Sequence, residues 1–442
     1  MKKILKAGID SVDISPSKGL ELGGYPHYLR HNTGIHDPLY ASCIYLDNGK
    51  EKYIIIAMDI LFFSKKYVLS VRKKINLQTQ IPMENIMISC SHTHSGPWAS
   101  GRLDLEALEK GLKPDEDYVR ELENNLVGIA VSACNNAFEA KIGIEKGYCG
   151  KEQGIGGNRR DPNGPSDPSV WTIGVQDLQG NWRGCLVKYA LHPTVIHAES
   201  TVVTADYPCY IREYLLKTKP ETAFLFVQGT SGDQSTRYFR NDQSFDEARR
   251  IGNAIGSEAD RVLNLMKMSS NIDIIVKSME VEVDLKVLPS RKEAEESVRQ
   301  AKIKFEEVVA RNGSYLEKQN ADLVILGAED SLGFVLMKEK GERMDLLEDE
   351  LPAEIQVIGI GDTRIVGVPG EVFVEFGLEI AAKSPNRKTF VVELSNGCLP
   401  GYVCTEKAFK EGGYETDTSL LTSKTGDIFV GAALKMLNEM AK

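Results

Sequence analysis

Short apolar runs bounded by polar residues alternate with longer, helically spaced ones through the first two hundred residues of the chain. Ile54-Ile55-Ile56-Ala57-Met58 and Ile86-Met87-Ile88-Ser89 are too short for core helices and read as buried strands. Between them, residues 64–74 space their apolar positions as a helix does. Residues 115–137 predict a longer helix with Val119, Leu122, Leu126, Ile129 and Ala130 on one face. Strand patterns return at 171–175, 184–190 and 223–227. That succession predicts an α/β fold built around buried sheet.

Residues 150–168 interrupt the pattern with Gly, Asn, Asp and Pro and read as a loop, long enough to be functional. Ser290 with Glu293 forms a capping box, and Ala294, Val298, Ala301, Phe305 and Val308 follow at helical spacing until Gly313. This helix and the acidic stretch after it, 285–354, predict a peripheral helical insertion packed by one face, structural in role. Residues 355–360 and 364–368 flank Gly361-Asp362 as a β-hairpin. It ends at Pro369-Gly370-Glu371, and 372–382 are expected to be helical. The expectation is a single catalytic domain over 1–442 containing that insertion.

Composition narrows the class. Of 442 residues, 42% are hydrophobic and 26% charged, as in a well-cored globular protein. A net charge of -10 argues against a nucleic-acid partner, which needs clustered Lys and Arg. Lys6 and Asp10 interrupt any signal-like apolar region, and no run approaches the roughly 20 residues that span a bilayer. The eight cysteines are scattered without a Cys-x-x-Cys pair, so reduced thiols and a soluble, cytoplasmic protein are expected.

The candidate chemistry gathers where strands end. In Ser91-His92-Thr93-His94-Ser95-Gly96-Pro97 a strand runs into a turn, and residues i and i+2 of a strand share a side. His92 and His94 are then placed together, and paired imidazoles suit zinc, although polar residues at a strand end are an equally ordinary reading. His192 directly follows the apolar Tyr189-Ala190-Leu191; alone, such a histidine is more often a satisfied core residue than a ligand. Three of the seven histidines now sit beyond strands. Of the other four, His27, His31, His36 and His197, only His197 is near enough in sequence to support the site, and a surface role suits it as well. Glu371 could cap a helix's first turn, or Pro369-Gly370 could return it to the strand ends, completing a His, His, Glu zinc set. Ser235 could be a nucleophile, but no Gly-x-Ser-x-Gly elbow surrounds it. Tyr402 and Tyr414 would ordinarily be core-edge residues.

Taken in order, these motifs resemble the neutral (non-lysosomal, alkaline) ceramidase family nearly end to end. The resemblance is carried by 7–16, Leu22-Gly-Gly-Tyr25, Gly34-Ile-His36, Ser91 to Pro97, Asn158-Arg159, His192-Pro193, Gly232-Asp233 with Ser235, Val368-Pro-Gly-Glu371, and Tyr402 with Tyr414. It implies mixed α+β layers, with buried mixed sheets flanked by helices. It further implies a zinc ion held by His92, His192, Glu371 and Tyr402, with His94 an active-site neighbour and not a ligand. His94, Arg159 and Tyr414 would face the reacting carbonyl, and Ser235 would belong to the polar surroundings. Three departures stand out. The family's C-terminal β-sandwich is not expected here, Gly-Asp-Val-Ser-Pro is replaced by Gly232-Asp-Gln-Ser-Thr236, and a glycine-rich stretch by Trp98-Ala-Ser100.

The function implied is zinc-dependent hydrolysis of an N-acyl amide by metal-activated water, as in sphingolipid metabolism, on a small-molecule or lipid substrate. Because pocket residues and not metal ligands set the substrate, an esterase or amidase acting on a small non-lipid acyl compound is the alternative. A non-catalytic binding protein is the third reading.

Overall fold

The computed structural model describes residues 4–25, 28–101 and 103–441, and His27 lies outside them. Twelve strands form two sheets. The larger is eight-stranded: β1 (Lys6–Asp13), β2 (Tyr40–Asp47), β3 (Lys52–Met58), β4 (Ile86–Cys90), β5 (Phe138–Tyr148), β6 (Ser169–Asp177), β7 (Trp182–Tyr189) and β8 (Ala223–Gln228). Its order is β8-β7-β6-β5-β1-β2-β3-β4, antiparallel except for the parallel outer pairs β8/β7 and β3/β4. The smaller sheet runs β9 (Ile274–Val281), β10 (Ala353–Ile360), β11 (Thr363–Gly367), β12 (Lys388–Val392), with only β11/β12 parallel.

Alternation along the strands dictates the layers. In β3, Ile54, Ile56 and Met58 face helices, whereas Tyr53, Ile55 and Ala57 face the second sheet. The helical layer is α1 (Lys65–Thr79), α2 (Glu116–Asn135), α3 (Tyr207–Thr218) and α4 (Phe245–Leu265), whose buried stripes complete that core. Between the sheets, Met87, Trp171 and Leu186 meet Ile358, Ile365 and Phe390. Beyond them, Ile355, Val357 and Val366 of the small sheet bury against α8 (Val374–Lys383) and α9 (Thr425–Met440). The result is a helix–sheet–sheet–helix sandwich, the α/β layering expected.

The segment 285–354 folds into α5 (Arg291–Ala310), α6 (Tyr315–Lys340) and the short α7 (Met344–Glu348). Ser290 and Glu293 form the expected capping box, and Ser314 with Glu317 forms a second. The left-handed residue that ends α5 is Asn312 (φ 53°), one position before the glycine expected to stop it. Unlike the purely structural role expected, α6 and α7 also line the candidate site, contributing Asp330, Phe334 and Leu346.

One local device assembles the site. After β12 the chain inserts between the two edge strands of the large sheet. The Glu393 amide donates to the Gln228 carbonyl at the end of β8 (2.9 Å), and the Cys90 amide at the end of β4 donates to Leu394 (3.3 Å). The ends of strands from opposite edges are thereby stitched together.

Candidate metal centre and its cleft

His92 lies two residues beyond β4 and adopts a left-handed backbone (φ 68°), which is uncommon for a non-glycine residue and marks a strained position. Its convergence with His94 therefore comes from a tight turn and not from strand alternation, which ends at Cys90. The His94 Nε2 atom is 3.3 Å from that of His92. Gly24 (φ +99°) packs on this turn so closely that a Cβ there would come 2.5 Å from the His94 side chain. His192 follows β7 and comes within 4.7 Å of His92, centroid to centroid, with the rings nearly perpendicular. Glu371 does not open a helix. It forms a two-residue parallel ladder with Tyr402, and α8 begins only at Val374.

The hydrogen-bonding pattern around the two rings is informative. His192 Nδ1 is 2.7 Å from the Ser231 carbonyl oxygen, and its Nε2 is 3.0 Å from Glu371 Oε2. His92 repeats this, with Nδ1 3.3 Å from the Leu61 carbonyl and Nε2 3.2 Å from the same Oε2. Each ring faces an acceptor at both nitrogens, but a neutral imidazole carries one N–H. Burial, helped by the Arg159 charge, lowers the His192 pKa to about 4, so this ring is neutral near pH 7. If the carbonyls take the Nδ1 protons, the Nε2 lone pairs and the Glu371 carboxylate oxygen converge on one point. A cation there turns mutual repulsion into attraction. Two imidazoles and a carboxylate, all buried, fit a divalent metal, and His92, His94 and His192 form a group that could hold one.

Supporting groups fix the orientation. The Ser231 hydroxyl donates to Glu393 Oε1 (2.5 Å), and the other Glu393 oxygen accepts the Val372 amide (2.8 Å). Neither residue was singled out by sequence, although Glu393 opens the stretch that leads to Tyr402. Such outer partners fix ring tautomers around metals.

The remaining residues surround this centre. Tyr402 places its ring 6.5 Å from that of His192, and burial beside Glu371 pushes its phenol pKa well up. Arg159 stands over the Tyr402 ring, with its Cζ 5.1 Å from the centroid, and its Nε donates to Glu415 (2.8 Å). Among the described residues its Nη2 has no acceptor, although it is buried. Burial alone would lower the Arg159 pKa, but Tyr402 and Glu415 hold it above the ordinary value. Tyr414 meets Tyr402 at 5.9 Å between rings. His94 is kept neutral by burial and by the neighbouring histidines, and its Nδ1 has no partner. Ser235 is buried, and its hydroxyl accepts the Arg237 amide; among the described residues no histidine is in hydrogen-bond contact with it. His197 stacks on Tyr25 at 4.6 Å, and His36 stacks on Phe245 well away from the centre. His31 is held in a bridge to Glu21.

Two lobes open from the centre and share Gly24, His94, Tyr402 and Tyr414 as a common wall. One, a solvent-open cleft of about 970 Å³, reaches His92 and Glu371 and is lined by Leu61, Phe62, Trp98, Leu103, Phe334 and Leu346. The other, also open to solvent, is lined by Arg159, Ser235, Arg237, Arg240, His197 and Asp322 together with Tyr25, Tyr28, Leu323 and Leu326.

No family model matches the sequence. The structure superposes on the neutral ceramidase from Pseudomonas aeruginosa with a TM-score of 0.73 and 17% identity, covering 99% of this chain and 75% of that one. A second structure, a ceramidase complexed with C2, gives a TM-score of 0.74 at 15% identity with the same coverages. The chain therefore has a neutral ceramidase-like fold, in the mixed α/β layers that the motifs implied.

Proposed function

We propose that this chain is a zinc-dependent hydrolase of N-acyl amides, its metal held by His92, His192, Glu371 and Tyr402. The observation that carries the reading is the position of Glu371 Oε2, 3.0 Å from His192 Nε2 and 3.2 Å from His92 Nε2, with both Nδ1 atoms already facing carbonyls. Likeness to ceramidases supports the bond type. Zinc bound there would supply Lewis acidity and lower the pKa of water to roughly 7.

The protein's own groups do the rest. As water adds to the acyl carbon, negative charge grows on the carbonyl oxygen; it is lost when the C–N bond breaks, the amine leaves with a proton and the carboxylic acid forms. The unpaired Nη2 of Arg159 is available to donate to that oxygen, and Glu415 keeps that guanidinium charged and oriented. Tyr414 adds a hydroxyl on the same wall. His94, neutral and with a free Nδ1, can take a proton from the attacking water and pass it to the departing amine. Ser235 contributes polarity without a base to activate it. The apolar lobe suits an alkyl chain.

The arginines that line the second lobe favour one variation, in which the same centre cleaves an ester or amide of a small non-lipid acyl compound. Hydrolysis of N-acylsphingosine, short N-acyl amines and aryl esters, each with and without chelator and with zinc restored, tests both readings. Chelator-sensitive amide cleavage restored by zinc is expected. Turnover indifferent to chelation, or limited to esters, would contradict the amide reading.

A further inference from the structure

The geometry points to the second lobe as a subsite for an anionic group, so that the preferred substrate is an N-acyl compound bearing a carboxylate or phosphate a few bonds from its scissile amide. This rests on the hydrolase reading above.

Arg237 and Arg240 both line the lobe. Arg237 donates to the Asn320 amide oxygen (3.3 Å), and Arg240 to the Thr194 carbonyl (3.0 Å) and the Thr236 hydroxyl (3.5 Å). Among the described residues, neither guanidinium forms an ion pair with a carboxylate. Several other arginines of the protein pair with carboxylates, Arg72 with Glu354, Arg212 with Asp59 and Arg250 with Glu247, whereas the buried Arg30 and Arg364 donate to backbone carbonyls. Burial, with the Arg159 charge adding to it, lowers the Arg237 pKa to about 10, which is the signature of a cation short of compensation.

The other charged groups facing the lobe do not cancel this pair. Arg159 is itself cationic and shares Glu415 with Arg160, leaving its Nη2 unsatisfied at a residue 8% exposed. Burial lowers the His197 pKa, and its Nδ1 lies 3.4 Å from Glu199. Among the described residues, the carboxylate that lines the lobe is Asp322 of α6, whose contacts include the Tyr28 hydroxyl at 3.5 Å. Positive charge remains in excess, and guanidinium forks match carboxylate and phosphate oxygens. Because both lobes share the wall of His94 and Tyr402, an alkyl chain in the first and an anion in the second place the amide between them, at the metal centre. A neutral N-acyl amide leaves both arginines uncompensated.

The test uses matched pairs on the full chain. Calorimetry compares N-(dodecylsulfonyl)glycine with N-(dodecylsulfonyl)ethanolamine, in both of which a sulfonamide replaces the acyl amide. Turnover compares N-dodecanoylglycine and N-dodecanoyl-phosphoethanolamine with neutral N-dodecanoylethanolamine, and the first two arms separate carboxylate from phosphate. The anionic sulfonamide is expected to bind about tenfold or more tightly. The anionic-to-neutral ratio of kcat/KM should fall towards unity in Arg237→Gln and Arg240→Gln. Equal or tighter binding of the neutral sulfonamide by the unsubstituted protein overturns the subsite, whether or not the variants fold. If no amide is cleaved, the hydrolase reading fails while the calorimetric pair still decides this one.

Discussion

Glu371 and Tyr402 are register partners in a two-residue parallel ladder, with Val372 beside Val403 directly after them. Side chains of register partners in a sheet project to the same face. The ladder continues when the Phe373 amide donates to the Val403 carbonyl (3.1 Å). Backbone hydrogen bonds, and not side-chain contacts alone, therefore bring a carboxylate and a phenol from distant segments to one centre. The consequences can be measured.

Arg159 is expected to act on the transition state. Arg159→Gln should retain its metal and lower kcat by about 10²–10³-fold with little change in KM, as loss of one oxyanion donor does. Steady-state kinetics with elemental analysis checks this. A change confined to KM would place Arg159 in ground-state binding instead.

His94 separates two ligand sets. If Tyr402 completes the metal shell and His94 moves protons, His94→Gln keeps its zinc and loses about 10²–10⁴ in kcat. Loss of zinc from His94→Gln together with its retention in Tyr402→Phe would exchange the two roles.

Phe334 tests whether α6 is part of the substrate cleft. Phe334→Ala removes apolar surface amounting to roughly 1.5–3 kcal/mol on full burial, so KM for a long acyl chain should rise about 10–100-fold. A short acyl chain that does not reach α6 should be nearly indifferent. Equal effects on both would return α6 to a structural role.

Asp206 gives a pH signature independent of the metal. It is buried at the start of α3, where it accepts the Ile196 (2.8 Å) and Tyr207 (2.6 Å) amides, and burial nonetheless raises its pKa to about 7. The unfolded chain ionises an Asp near about 3.9, so between that value and 7 the folded state holds the extra proton. The Asp206 contribution to stability is therefore greatest in acid and is lost as pH rises towards about 7. Denaturant midpoints across pH 5–8, taken as wild type minus Asp206→Asn, should fall with rising pH and level off above pH 7. A flat or rising difference would contradict the assignment.

How much of this was readable beforehand depends on the kind of interaction. The short apolar run at Ile54–Met58 and the capping box at Ser290 are local, and the sequence displays them directly. That His92 and His192 both follow apolar strands is also a local fact, and the sheet order turns it into proximity. Glu371 was harder: an acid before a helix looks like a cap, and only its pairing with Tyr402 removes it from the helix. The left-handed turn at His92 leaves no local trace either, because nothing in Ser91-His92-Thr93 calls for a positive φ, and the close approach of Gly24 to His94 is a contact between distant segments. The segment 285–354 looked peripheral because its charged residues dominate. The few that matter, Phe334 and Leu346, are spaced like any other buried positions. Arg237 and Arg240 gave no signal, since a cation without a partner is visible only once its neighbours are known.

The most direct measurement is the zinc content of the purified, dialysed protein, determined by elemental analysis alongside His192→Ala and Glu371→Gln. About one zinc per chain is expected in the parent and a strong reduction in both variants. Full occupancy in a folded His192→Ala protein, or a zinc-free parent that still cleaves amides, would contradict a metal centre built on these residues.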